Sequence, residues 1–384
     1  MRLVMEGNMR RALLGSTALV VVSLVSAEAI AADGVKLSIG GWYHAAAGFV
    51  AGEDFSTSSG VAESSTRDYV FKQNVGVSFS GESVLDNGLT VGAYVELRGQ
   101  TQEDQIRKVY AYFSGGFGKV QFGDQDSALA AMCYTVPSAS KIFGADSPAV
   151  YGFNFSNAGI AGYGATNGTC YGIDSYSTQL VYFSPEFAGF QFGLSFTPDQ
   201  TEDTRNTLNG AATRFKNDAG QNSENLSMAV VFGHDFNGVN LTAGGAHSIS
   251  FDKENSPADE AQDSNAYLQV AFAGFTIGGA MEYRQNFFED NHDDLVFGAG
   301  VTYNWDAWTV GLGWTRGDYE KAVGANGVGP FNAVHDDVAL TASYALGPGI
   351  SVDGLLEYSR YESNDAAGPD YQGIGFGLGT AIAF

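Results

Sequence analysis

Large apolar side chains alternate with small or polar ones along most of the chain from residue 36 onward. The last segment is the clearest case. One set of alternate positions carries Ile374, Phe376, Leu378, Thr380, Ile382 and Phe384, and the other carries Gly373, Gly375, Gly377, Gly379, Ala381 and Ala383. Successive side chains of a β-strand point to opposite faces. The segment therefore predicts a strand with one apolar face and one face of very small residues.

The predicted strands are joined by connections of two lengths. Seven are short and contain Gly, Asn, Asp or Pro, as tight hairpin turns require: 86–88, 115–118, 185–189, 237–238, 273–274, 306–307 and 347–349. Eight are long and polar: 51–68, 101–106, 125–175, 197–223, 249–262, 285–292, 317–334 and 360–370. The two kinds alternate strictly, so the fifteen connections predict sixteen strands.

This sorting of connections by length is typical of one class of protein. Bacterial outer-membrane barrels have an even number of strands, short turns at one end and long loops at the other. A soluble β-sandwich has no reason to sort its connections in this way. Aromatic residues also cluster near the predicted strand ends, as in the two interfacial belts of membrane barrels. The chain is predicted to be all-β, a sixteen-stranded antiparallel transmembrane β-barrel forming one domain over residues 33–384.

The first 32 residues have the features of a secretory signal peptide. Arg10 and Arg11 precede a short uncharged apolar run over residues 12–27, and small residues around Ala29 and Ala31 follow. This order is typical of a cleavable signal rather than a membrane helix. The later sequence contains no apolar run long enough for a transmembrane helix.

Composition and charge narrow the range of partners. Charged residues make up 16% of the chain, against about 25% in typical soluble domains. The net charge of −24 argues against nucleic acid, since binding it requires Lys and Arg to neutralise phosphates. An excess of carboxylates in a pore or its mouth favours cations. The same charge could instead serve only to keep the protein soluble before insertion.

The register of the first five predicted strands leaves polar side chains on the face opposite the apolar one. These are the basic residues Lys36, Lys72, Arg98, Lys108 and Lys119, together with Glu96, His44, Gln121, Tyr110 and Tyr112. A charged side chain facing lipid at the middle of the membrane costs about 2–4 kcal/mol. The basic residues are therefore expected to line one wall of a pore, with Tyr110 and Tyr112 as lumen aromatics.

The third long connection carries carboxylates that could oppose that wall. It contributes Asp124, Asp126, Asp146 and Asp174 against a single Lys141. Asp124, Asp126 and Asp146, with Glu96 on the wall, are the candidates for an acidic constriction. Opposed carboxylates and basic groups would create a transverse field across the pore. The alternative is that these aspartates only form turns.

Two cysteines, Cys133 and Cys170, bracket most of this connection. Because an exported chain enters an oxidising compartment, a disulfide between them is expected. It would stabilise the fold by about 3–4 kcal/mol through loop closure. Two free thiols are the alternative.

Other chemistry has little support in the sequence. Two acidic clusters in long connections could bind Ca²⁺, which takes several carboxylate oxygens, or could be solvated charge. One comprises Glu289, Asp290, Asp293 and Asp294 around His292, and the other Asp259, Glu260 and Asp263. The five histidines show no zinc spacing. No Gly-x-Ser-x-Gly element is present, so we predict neither a resident cofactor nor an enzyme.

Three features resemble a known family. They are the run Gly116-Phe-Gly-Lys-Val-Gln-Phe-Gly-Asp124 leading into the long third connection, the Phe-Ala-Gly-Phe turns at 187–190 and 272–275, and the terminal Phe384. The chain resembles the general porins of Gram-negative outer membranes, and most the trimeric sixteen-stranded porins of alphaproteobacteria. The resemblance covers the whole mature chain through the order and spacing of its elements.

The resemblance implies a fold detail, partners and a function. The third loop would fold inward, narrow the barrel and set its acidic residues against a basic wall. Three copies would associate through their early and last strands, amid outer-membrane lipids and lipopolysaccharide, and Phe384 would be read by the barrel-assembly machinery. The expected function is non-specific diffusion of small hydrophilic solutes and ions with a mild cation preference. A pore selective for sugars is the alternative, although two lumen tyrosines are few for an aromatic track.

Overall fold

The alternation of apolar and small or polar residues produces a closed antiparallel β-barrel in the computed structural model of the chain. The model describes residues 34–52, 68–99, 106–146, 167–173, 176–200, 222–253, 260–286, 293–322, 331–363 and 371–384. Each strand pairs with the next along the chain, and the first strand pairs with the last. The predicted sixteen-stranded barrel is confirmed.

The strands have the following bounds: β1 Lys36–Gly52, β2 Tyr69–Val84, β3 Thr90–Arg98, β4 Ile106–Gly115, β5 Gly118–Gln125, β6 Ser177–Phe183, β7 Phe190–Asp199, β8 Asn222–Asp235, β9 Asn240–Lys253, β10 Gln262–Phe272, β11 Phe275–Gln285, β12 Asp293–Trp305, β13 Trp308–Ala322, β14 Phe331–Gly347, β15 Ile350–Ser363 and β16 Tyr371–Ala383. One short helix, α1, spans Ala128–Ala131. Within the described residues, no helix is long and apolar enough to cross a membrane.

Several strands extend beyond their predicted ends. β9 continues to Lys253 and β13 to Ala322, both inside segments predicted as long loops. Asp252 and Lys253 of β9 and Asp318 of β13 are polar, yet they stay in the hydrogen-bonded ladders with β8 and β14. Polarity therefore indicated where the chain leaves an apolar environment, and not where strand pairing stops.

The two faces of the wall differ as the alternation predicts. One face, called here the apolar face, exposes large hydrophobic side chains such as Leu312, Leu340 and Leu356, each about half exposed. The other, called the polar face, carries glycine, serine, asparagine and charged residues. Many of these polar-face residues are buried, including Ser195, Asn225 and Glu282. The barrel wall is therefore apolar on one side and polar on the other, as in membrane barrels.

The chain terminus helps to close the barrel. Gly41 donates a backbone hydrogen bond to Phe384 O at 2.8 Å, and Phe384 N donates to Gly41 O at 3.0 Å. A side chain at position 41 would meet the Phe384 ring at 2.7 Å. Gly41 therefore provides the space in which the terminal aromatic ring packs beside the β1–β16 seam.

Some predictions lie outside the described residues. These are the signal peptide over residues 1–32, Asp174 of the third connection, and Asp259, Glu289, Asp290 and His292 of the two acidic clusters.

Candidate functional site: the polar face and the third loop

The long connection between β5 and β6, called here loop 3, has two described limbs. The outgoing limb is residues 126–146 and the return limb is residues 167–173. Cys133 and Cys170 form a disulfide with Cα atoms 5.7 Å apart, which confirms the predicted pair. Because one cysteine lies on each limb, the disulfide ties the two limbs together.

The outgoing limb follows the polar face of the barrel away from β5. Ala128 N donates to Ser195 Oγ on β7 at 2.9 Å. Tyr267 on β10 donates its hydroxyl to Met132 O at 2.7 Å. Thr315 on β13 donates to Ala145 O at 3.0 Å. Polar strand side chains thus satisfy backbone groups of a limb that has almost no secondary structure of its own.

The middle of the limb, between Met132 and Ala145, reaches strands distant from its origin. Ala139 N donates to Thr341 Oγ1 on β14 at 3.1 Å. Ile142 and Phe143 are almost fully buried, in a cluster with Ala46 of β1 and Ala381 of β16. A side chain on Gly379 would meet Ile142 Cδ1 at 2.4 Å. The small face that the sequence predicts for β16 therefore makes room for the tip of this limb.

Glycines on other strands have the same role. A Cβ on Gly193 would meet Met132 Sδ at 2.4 Å, and one on Gly300 would meet Pro137 O at 2.7 Å. A Cβ on Gly311 would lie 3.0 Å from Ala139 N. Part of the high glycine content is thus explained by the close approach of loop 3 to the wall.

The return limb binds carboxylates of the wall through two backbone N–H groups and one side-chain amide. Tyr171 N donates to Glu282 Oε1 at 2.8 Å, and Gly172 N donates to Asp263 Oδ2 at 3.1 Å. Asn167 donates its amide to Asp337 Oδ2 at 2.9 Å. These charge-assisted hydrogen bonds are stronger than neutral ones, so they anchor the limb to β10, β11 and β14.

A buried ionic group lies beneath the return limb. Arg284 is fully buried, with its Nε 3.9 Å from Asp294 Oδ2. Its guanidinium also lies 5.4 Å from the centre of the Tyr171 ring. Asp263 and Asp294, assigned from the sequence to possible Ca²⁺ clusters, are both completely buried here. No group of three or more metal-ligating side chains is found among the residues that the structure describes.

Asp146 connects the two limbs of loop 3. Its carboxylate accepts hydrogen bonds from Val136 N at 2.7 Å and from Thr169 N at 2.9 Å. Thr169 Oγ1 donates a third at 2.5 Å. Burial raises the pKa of Asp146 to about 6, while these three hydrogen bonds act in the opposite direction. This geometry is that of an internal clamp, and the side chain is only 7% exposed.

Asp126 forms an ion pair with a basic side chain of β4. Lys108 Nζ lies 2.5 Å from Asp126 Oδ2. Next to it, Arg107 Nη1 lies 3.1 Å from Glu96 Oε1, and the Arg107 guanidinium is 4.2 Å from the centre of the Tyr176 ring. Two basic and two acidic side chains therefore meet where β4 and loop 3 adjoin.

The two-residue alternation does not predict the position of Arg107. Strict alternation with Lys108, Tyr110 and Tyr112 on the polar face would direct Arg107 to the apolar face. Glu96 pairs with Lys108 and Leu97 pairs with Ile106, so Arg107 is the extra residue of a β-bulge on β4. A bulge adds one residue and breaks the two-residue period, which brings Arg107 to Glu96. No local sequence feature predicts that bulge.

Asp124 lies apart from the acidic group around Asp126. The β4–β5 register pairs it with Val109, and the β5–β6 register pairs it with Thr178. It is therefore in register with Phe122 and Leu180 of the apolar face and out of register with Lys119 and Gln121. Asp124 accepts a hydrogen bond from Thr178 Oγ1 and is 3% exposed.

The remaining basic residues are distributed along the wall. Lys36 is exposed and stands opposite Glu82 in the β1–β2 ladder. Lys119 Nζ lies 4.5 Å from the centre of the Tyr112 ring. Lys72 and Arg98 are partly buried on β2 and β3. The basic groups thus extend from the short-turn end to the long-loop end of the first five strands.

The two predicted tyrosines belong to a row of three. The Tyr94 and Tyr110 rings stack with centroids 5.1 Å apart, and the Tyr110 and Tyr112 centroids are 6.4 Å apart. Tyr112 donates its hydroxyl to Glu82 at 2.6 Å, and Tyr94 donates to Glu96 at 3.2 Å. The alternation of β3 puts Tyr94 and Glu96 on the same face, so Tyr94 could have been found from the sequence.

Comparison with known proteins agrees with this geometry. The model of the Gram-negative porin family matches residues 15–366. Salmonella typhi OmpF, in complex with daunomycin, superposes with a TM-score of 0.58 at 13% identity, covering 91% of this chain and 98% of its own. No curated protein sequence matches the chain.

Two further solved structures are similar in the same way. OmpT of Vibrio cholerae gives a TM-score of 0.57 at 14% identity, over 93% of this chain and all of its own. An anion-selective porin from Comamonas acidovorans gives 0.56 at 15% identity, over 91% of this chain and all of its own. At these identities the structural likeness establishes the fold alone.

Proposed function

Since the chain belongs to the Gram-negative porin family, we propose that this outer-membrane barrel passes small hydrophilic solutes and ions without strict selectivity and mildly prefers cations. The polar face is the lumen in this proposal, and loop 3 narrows it. The apolar face contacts lipid, as in other barrels of this membrane.

The reach of loop 3 is the single observation that carries the proposal. The loop begins at the end of β5 and hydrogen-bonds to Thr341 on β14. Around the closed barrel, β14 is seven strands from β5 in one direction and nine in the other. A segment held against the polar face over that span occupies part of the barrel cross-section. The passage left for solutes then lies between loop 3 and the wall of β1–β5.

Paired charges along that passage favour a weak selectivity. Lys108 is matched by Asp126 at 2.5 Å, and Arg107 by Glu96 at 3.1 Å. These carboxylates offset the basic wall locally. The overall charge of −24 then sets the potential at the pore entrances and attracts cations. Small ions pass with their water, so the preference is mild.

The reversal potential of the purified protein in a planar bilayer tests the selectivity. With KCl at different concentrations on the two sides, the potential is expected to shift toward the K⁺ equilibrium value without reaching it. Replacing Glu96 and Asp126 by Gln and Asn removes two lumen carboxylates and should move it toward the Cl⁻ value. A wild-type potential already on the Cl⁻ side would refute the cation preference.

A sugar-selective pore remains a second candidate because of the row formed by Tyr94, Tyr110 and Tyr112. Adjacent aromatic rings can bind sugar faces, and charged groups beside them can bind hydroxyls. Glu82 and Glu96 already accept hydrogen bonds from two of these tyrosines. Under this candidate, millimolar sugar would reduce the ion current in a saturable way, and replacing Tyr110 by Leu would abolish the effect. A current that sugars do not reduce would contradict the sugar-selective pore and support the non-selective one.

Association into a homotrimer is part of the proposal. The apolar face of β1 and β2 combines small residues, Ala45 and Ala47, with highly exposed Leu37 and Phe71, at 83% and 79%. Small and large apolar groups together suit a close protein contact. A trimer is expected in mild detergent by light scattering, and Ala47→Arg should yield monomers that still conduct. A monomeric wild-type protein would contradict this part of the proposal.

A further inference from the structure

Tyr176 holds a backbone conformation that side chains of its size rarely adopt. It lies directly before β6, at the end of loop 3, and its φ is 67°. Its backbone N–H donates to Gln125 O at 2.9 Å, which closes the base of loop 3. A bulky residue in the left-handed region is an outlier, and such a conformation persists only where the surrounding structure favours it.

The Tyr176 ring covers two basic side chains of β4. The Arg107 guanidinium lies 4.2 Å from the ring centre, and Lys108 Nζ lies 5.5 Å from it. Both distances are within the range of about 6 Å over which an aromatic face attracts a cation. Glu96 Oε1 lies 3.1 Å from Nη1 of the same guanidinium. Arg107 is thus contacted both by a carboxylate and by an aromatic face.

The charges around this ring do not by themselves favour cations. Arg98 on β3 interacts electrostatically with Arg107, and Lys108 is the next residue along β4. These three basic groups face two carboxylates, those of Glu96 and Asp126. The side chains of Arg107 and Lys108 are 22% and 11% exposed, whereas that of Asp126 is 26% exposed. The most exposed group of the two ion pairs is therefore a carboxylate, although the basic groups outnumber the acidic ones.

We infer that Tyr176 determines the ion selectivity of the pore by shielding the Arg107 guanidinium from ions in the lumen. This inference rests on the proposed pore function. The ring keeps anions farther from the positive charge, and a Coulomb interaction weakens with distance. Asp126 remains the more exposed partner of its ion pair. The left-handed backbone belongs to this arrangement, because the ring lies over a residue of β4 although Tyr176 itself precedes β6.

The reversal potential in a KCl gradient compares Tyr176→Gly with the native chain. Glycine adopts a φ of 67° without strain, so the variant keeps the backbone and loses only the ring. The ratio of K⁺ to Cl⁻ permeability should fall about twofold or more, as expected when one more positive charge faces the ions through water. Tyr176→Phe retains the aromatic face and should restore the native ratio.

An Arg107→Gln background separates shielding from an effect on the shape of loop 3. The ratios of Arg107→Gln and Arg107→Gln/Tyr176→Gly should differ little, because Lys108 stays paired with Asp126. Asn237→Gly is the control for glycine at a left-handed position, since Asn237 has a φ of 56° in a short turn. It should keep the native ratio. A shift of equal size with and without Arg107 would overturn the inference.

Chemical modification tests the shielding without any current. Phenylglyoxal reacts with accessible guanidinium groups, and mass spectrometry gives its rate of reaction at Arg107. The rate should rise severalfold in Tyr176→Gly and stay native in Tyr176→Phe. Should Tyr176→Gly fail to fold, Tyr176→Asn replaces it, because Asn also tolerates positive φ.

This comparison separates failure of the inference from failure of the proposed function. A native chain that prefers Cl⁻ would refute the cation preference and leave the difference between native Tyr176 and Tyr176→Gly measurable. An unchanged permeability ratio in Tyr176→Gly would overturn the role of Tyr176. So would one rate of Arg107 modification shared by the native chain and both variants.

Discussion

At the residue scale, glycines and carboxylates hold loop 3 against the wall. Gly379 is the sharpest example because a side chain there would meet Ile142 Cδ1 at 2.4 Å. Gly379→Val should displace Ile142 and Phe143, whose burial contributes about 1.5–3 kcal/mol each. We expect a larger or noisier single-channel conductance. Gly354→Val is the control, since the nearest atom to a Cβ there is 4.0 Å away. Identical conductance of both variants and the native chain would contradict the docking of the tip.

Asp146 gives a pH-dependent prediction at the same scale. Burial raises its pKa from 3.8 to about 6, so between about pH 4 and 6 the folded chain holds a proton that the unfolded chain has lost. Stability therefore falls as the pH rises through this window, by an amount on the order of 3 kcal/mol. Asp146→Asn should remove this slope. It should also lower stability by about 1–3 kcal/mol, because one amide oxygen cannot accept all three hydrogen bonds.

The measurement is thermal unfolding in detergent at several pH values. Asp306→Asn is the control. Asp306 lies in an exposed short turn with a backbone φ of 49°, which Asn also adopts, so the variant should fold normally and keep the wild-type dependence of stability on pH. A native-like slope in Asp146→Asn would mean that other carboxyl groups cause it.

At the scale of elements, the disulfide makes the two limbs of loop 3 one unit. Cys133→Ser/Cys170→Ser should loosen both limbs and destabilise the loop by about 3–4 kcal/mol. The strand ladders do not involve these cysteines, so the barrel itself should remain folded. We expect more frequent current fluctuations in the variant and, for the native chain, after treatment with a reductant. A quiet current in the variant would show that wall contacts alone fix the loop.

Strands, turns and side-chain faces could be predicted from the sequence where they depend on residues close together in the chain. Alternation and turn residues gave sixteen strands, and the register gave Lys108 and Tyr110 their face. The bulge at Arg107 was not predictable, since it depends on how β3 and β4 pair rather than on a residue type. The same holds for Asp146, whose partners Val136 and Thr169 are brought to it by the folding of loop 3.

At the scale of the whole molecule, three properties follow from one arrangement of residues. In the proposed pore, the apolar face contacts lipid, the polar face surrounds water, and loop 3 shares the polar face with the solutes. The sequence predicted the first two through its period of two residues. It could not give the contacts of loop 3, because Ala139 and Thr341 are 202 residues apart in the chain.

The most direct test of a barrel narrowed by loop 3 is single-channel conductance in planar bilayers with polymers of increasing size. Polymers too large to enter the pore leave the conductance unchanged, so the size cut-off reports the narrowest section. We expect discrete conductance steps in the native chain, and a cut-off that moves to larger polymers in Gly379→Val but not in Gly354→Val. Absence of steps, or one wide cut-off shared by all three proteins, would contradict this expectation.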